Sequence, residues 1–78
     1  MEEGKNYRIE MKRQLGNYRW VEEVMVASFI HETETSYFFS LRPLAGTQDL
    51  RKDMVTKLTR TEEKKHLPRR LHAKGSTK

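Results

Sequence analysis

The sequence predicts a mainly β domain: a small, partly open barrel of four to five antiparallel strands, with one short helical turn and a basic C-terminal tail. Three observations carry this expectation. Tyr7 to Lys12 alternates strictly between apolar and charged residues, as a half-buried strand requires. Trp20 to Ile30 is the longest apolar stretch and is rich in β-branched and aromatic side chains, which favours strand over helix. Tyr37 to Arg42 alternates again, and polar reversals separate the three runs.

The first strand places Tyr7, Ile9 and Met11 on one side and Arg8, Glu10 and Lys12 on the other. Leu15-Gly16-Asn17-Tyr18 follows and tolerates the positive φ of a tight reversal, while a wider loop joining two long strands also fits. The second strand, within Tyr18 to His31, is apolar on both faces apart from Glu22-Glu23. Such a strand bends and faces the interior with each half in turn. Glu32-Thr33-Glu34-Thr35-Ser36 is a polar turn, and the third strand then sets Tyr37, Phe39 and Leu41 against Phe38, Ser40 and Arg42. Pro43 ends that strand or puts it at an edge, and Pro43-Leu44-Ala45-Gly46 is turn material.

Two periods fit Thr47 to Thr61. Leu50, Met54 and Leu58 lie at helical spacing behind Thr47 as a cap, which would give a three-stranded sheet plus one helix. The rival is a one-turn segment at Asp49–Asp53 followed by a strand, Met54 to Arg60. The β-branched Val55, Thr56, Thr59 and Thr61 favour this second form. The domain is expected to span residues 1–63. Residues 64–78 contain Pro68, Gly75 and only Leu67, Leu71 and Ala73 as apolar side chains, too few to offset their ordering entropy, so they are expected to form a flexible tail. The expected core is Ile9, Met11, Trp20, Val24, Val26, Phe29, Phe39, Leu41, Val55 and Leu58.

Successive strands on short reversals, then Leu50-Arg51-Lys52-Asp53-Met54-Val55-Thr56-Lys57-Leu58, where a tight turn hands over to a closing strand, resemble the small SH3-like barrel shared with Sm-like and Tudor domains. The resemblance covers about residues 5–61 and is to a superfold. No Sm-type Gly or Asn signature, Tudor aromatic cage or proline-peptide groove maps onto it, so no family's functional residues carry across. What it implies is a prior for binding nucleic acid or peptides.

At 78 residues with no cysteine, the chain has neither disulfides nor thiolate zinc ribbons to support its core. No apolar run approaches the ~20 residues of a membrane span. Met1-Glu2-Glu3-Gly4-Lys5 lacks the features of a signal peptide, so the expectation is a cytoplasmic protein without a membrane partner. Catalysis needs a base in reach of a nucleophile and an orienting group behind it. The histidines are His31 at a strand end and His66 and His72 in the basic segment, which fit neither that arrangement nor a metal site. There is no phosphate-binding glycine loop. A non-enzymatic protein without cofactor is expected.

What remains is charge and aromatics. Residues 64–78 carry six bases and no acid, leaving 10 of the 16 bases and all 11 acids in residues 1–63, a net charge of −1. A +6 segment can reach the phosphates of DNA or RNA without base-specific geometry. The reversal at Tyr18 adds an aromatic beside Arg13 and Arg19. The expected nucleic-acid-binding residues are Arg13, Tyr18, Arg19, Lys64, Lys65, Arg69, Arg70 and Lys74. The alternative is a protein-interaction module, such as a phage-type regulator or inhibitor of a larger enzyme, in which Glu22, Glu23, Glu32 and Glu34 or an open sheet edge meets a partner protein. A homodimer joined along such an edge fits both readings.

Overall fold

Alternation decides which face of the sheet is buried. Tyr7, Ile9 and Met11, then Met25, Ala27 and Phe29, then Phe39 and Leu41 all turn to one side and, with Leu50, form the buried core cluster. Tyr37, Val55 and Leu58 pack against it half-buried. The computed structural model describes residues 1–71. Its strands are β1 (Asn6–Gln14), β2 (Trp20–Glu32), β3 (Ser36–Ser40), β4 (Thr47–Arg51), β5 (Val55–Arg60) and β6 (His66–Arg70), with one 3-10 turn, Lys52–Met54, between β4 and β5. All pairings are antiparallel. They build one open sheet in the order β4-β3-β2-β1-β5, with β6 joined to β2 off that path.

The 13-residue β2 is the spine of the sheet. β1 lies along one of its edges from Trp20 to Ser28. The other edge is shared end to end, β3 pairing with Ser28 to Glu32 and β6 with Glu23 to Val26. That sharing explains why Val24 to Ala27 are buried on both faces. Met25 and Ala27 face the core. Val24 and Val26 face the other way, opposite Glu10 and Arg8 of β1 and Arg69 and His66 of β6.

Residues 47–61 hold two strands and a single turn, not a helix. The turn falls at Lys52–Met54, slightly later than expected, and β4 is an additional strand. Among its side chains only Leu50 is buried, so its register is imposed by pairing with β3 rather than by its own pattern. Two expectations need correction. Trp20 is 59% exposed and lies outside the core, because β2 begins there and carries the indole to the sheet's end. Residues 64–78 were expected to form a flexible tail, but 66–70 are a strand on β2, while 72–78 lie outside the described residues. The strand forms despite Pro68 because β6 is an outer strand whose pairing slips by one residue between His66 and Arg69, where a missing N–H is tolerated.

Candidate nucleic-acid interface

The β1–β2 hairpin and β6 meet at one end of the sheet. Gln14 pairs with Trp20, and a five-residue loop closes with the Leu15 N–H donating to the Arg19 carbonyl at 2.9 Å. All five loop residues are exposed, and Tyr18 is 92% exposed. β6 runs antiparallel to β2, so its last residues return to the same end. Arg70 stands opposite Glu23, and the Leu71 N–H donates to the Glu22 carbonyl at 2.9 Å. From Glu23 to Trp20 is three residues, or about 10 Å of strand.

Of the expected binding residues, Arg13, Tyr18, Arg19, Arg69 and Arg70 therefore lie toward one end of the sheet, the pole, with Arg69 on the face of Val24 and Arg70 on the opposite face beside Glu23. Lys64 and Lys65 are not. They precede β6 beside the middle of β2, where the Lys65 Nζ donates to the Arg42 carbonyl at 2.9 Å. Lys74 lies outside the described residues. Among the described residues, Arg19, Arg69 and Arg70 have no acid within 4.0 Å. Arg69 donates its Nε to His66 Nδ1 at 3.3 Å, which orients the guanidinium without neutralising it.

Arg13 differs. Its Nη2 lies 3.2 Å from Glu23 Oε1, an ion pair by distance. That oxygen is buried and accepts no hydrogen bond from the described residues, so the attraction to Arg13 is Coulombic rather than directional. Glu23 thus holds the Arg13 side chain against the sheet, with Arg70 across the strand pair on its other side.

The four acids of the alternative reading do not share a surface. Glu22 and Glu23 lie at the hairpin pole, and Glu32 and Glu34 at the opposite end of β2, about 30 Å away along an extended strand. Glu32 is also tied to Lys52, whose Nζ donates to its carboxylate at 2.7 Å. That ammonium holds the Glu32 carboxyl below its ordinary value of 4.5 by favouring the charged form. A folded-state value below the unfolded one gives a stabilising contribution that is present above pH 4.5 and lost as pH falls through the lower folded value. NMR titration is expected to place the Glu32 midpoint below 4.5 and to move it upward in Lys52→Met. An identical midpoint in both proteins would refute the pairing.

A groove beside the pole was not anticipated. β5 pairs with β1 only as far as Met11 opposite Val55. The 3-10 turn swings away, so that among the described residues no strand pairs with residues 12–14 of β1 on that side. The resulting open cavity of about 530 Å³ is lined chiefly by Lys12, Arg13, Trp20, Arg51, Asp53 and Met54. For Trp20 the sequence offered only a divided signal, since on an alternating strand it shares a face with Glu22 but also with the buried Val24 and Val26. Lys12 and Arg51 carried no such signal, because they converge only through the turn.

No protein-family model, curated protein or solved structure matches the chain. The chemistry of the site must therefore be read from its own side chains. Among the described residues no three histidine, aspartate or glutamate side chains converge to hold a metal ion, and no helix is long and apolar enough to cross a membrane.

Proposed function

We propose that the chain is a non-enzymatic nucleic-acid-binding accessory protein that grips the phosphate backbone with the pole formed by its hairpin tip and the end of β6. The observation that carries this reading is the placement of Arg19, Arg69 and Arg70 toward one end of the sheet, without an acid within 4.0 Å among the described residues, together with the exposed Tyr18. Guanidinium groups that are not directly paired with an acid can contact phosphates, and a polyanion gains free energy on binding them by releasing its condensed counterions. The five-strand path with a 3-10 turn before the strand that pairs back onto β1 supports reading the scaffold as SH3-like, a superfold that hosts many binding surfaces. The protein-interaction alternative has less support, because its acids are divided between the two ends of β2.

The test is salt dependence. Binding of a fluorescently labelled thymidine oligonucleotide, followed by anisotropy between low and moderate salt, is expected to weaken steeply. Replacing Arg19, Arg69 and Arg70 together by glutamine should flatten the slope of log K against log salt by about 2, since each phosphate contact to a single strand contributes about 0.7. An unchanged slope would remove these arginines from the interface.

A further inference from the structure

We propose that the groove between the end of β1 and the 3-10 turn holds an unstacked base of single-stranded nucleic acid, with the Trp20 indole as the stacking surface. This rests on the nucleic-acid reading above and names its substrate class.

Three features of the groove point to this occupant. The first is an aromatic surface in the wrong place for a core: Trp20 is 59% exposed, and Leu15 and Tyr18 on the adjoining loop are exposed as well. Bases present a π-face to such side chains, and stacking is tolerant of sequence. In a duplex both faces of a base are covered by its neighbours, so only an unpaired base can lie on the indole.

The second is charge. Lys12, Arg13 and Arg51 line the groove against one acid, Asp53. Lys12 has no acid within 4.0 Å among the described residues, and Arg51 pairs with Asp53 at 3.0 Å while both side chains are more than half exposed. An exposed pair of this kind is weak, so the Arg51 guanidinium is available to a phosphate. Cations on both walls of an aromatic-lined groove match a base flanked by its two phosphates.

The third is size and setting. The volume of about 530 Å³ falls within the range of small-molecule sites, about 300–1,000 Å³. The groove also adjoins the loop that ends in Tyr18 and Arg19, so a strand leaving it passes directly onto the cationic pole.

Trp20 is the only tryptophan in the chain, so its fluorescence reports the groove alone. The full chain is titrated at low salt with three probes, a thymidine 12-mer, the same backbone lacking bases, and a 12-base-pair duplex with twice the phosphates, and affinities are compared per phosphate. The thymidine strand is expected to quench Trp20 and to bind more tightly than the abasic strand. Trp20→Ala should lower its affinity about 5- to 150-fold, the range of one stacked base, to the abasic level. Trp20→Phe should retain part of the difference, which separates stacking from any loss of structure. Equal binding of all three probes with unquenched fluorescence would overturn the groove proposal while leaving the backbone-binding function standing. Binding of none would overturn both.

Discussion

Replacing Phe39 by alanine is expected to cost about 3–5 kcal/mol of stability, the usual penalty for emptying a buried phenylalanine site. Phe39 is fully buried at the centre of the sheet, paired through β3 with Phe29 of β2 and Gln48 of β4. Its ring meets Phe29 edge-on at 5.7 Å and Tyr7 at 6.5 Å between centroids, with Tyr37 at 6.2 Å. Each such aromatic pair adds about 0.5–1.5 kcal/mol beyond area burial. A domain of this length has a total stability of only about 4–12 kcal/mol, so the variant is expected to be largely unfolded near the lower end of that range. Urea denaturation followed by far-ultraviolet circular dichroism measures the loss. Tyr18→Ala, at the exposed tip, is the matched control and should change stability by no more than about 0.5 kcal/mol. A Phe39→Ala loss below about 1 kcal/mol would contradict the packing described.

Ending the chain after Glu63 is the second large effect, and its expected outcome is loss of stability as well as of binding. The truncation removes β6 and uncovers the β2 edge from Glu23 to Val26. Val24 and Val26 are 8% and 0% exposed, yet they face away from the main cluster and depend on the flanking strands for cover. Complete exposure of one valine costs about 1.5–3 kcal/mol, and β1 still shields one side, so a total of about 2–3 kcal/mol is expected. Arg69→Gln with Arg70→Gln keeps the strand and removes only charge. That pair should leave the urea midpoint in place while flattening the salt dependence of binding. A truncated chain with the parent's midpoint would mean that β6 contributes no cover.

The contrast between these variants shows where sequence reasoning succeeds. Tyr7, Ile9 and Met11, and Tyr37, Phe39 and Leu41, could be assigned to the interior from alternation, because the pleat sends successive side chains to opposite faces whatever the neighbouring strands are. The strand Val55–Arg60 was legible from its β-branched residues. β4 was not, since Thr47–Arg51 offers Leu50 as its one apolar side chain. β6 was hidden more deeply: His-Leu-Pro-Arg-Arg has the composition of a solvated tail, and nothing local shows that Val24 and Val26 require an edge partner.

The candidate site divides in the same way. Tyr18, between Asn17 and Arg19 on a loop, was readable as exposed, and the positive charge after Glu63 was plain from composition. Trp20 was misplaced because a lone tryptophan in a small chain suggests core, whereas its position as the first residue of β2 puts it at the end of the sheet.

By itself the sequence determined the β class, the inward face of the central strands and the total charge, because alternation, branching and ionisation act within a few residues of chain. Only the tertiary structure decided where that charge gathers and what it adjoins. The return of β6 to Glu23 and the swing of the chain after Arg51 are pairings between distant segments, chosen by which buried edge needs cover and which space is left, and no local pattern encodes either.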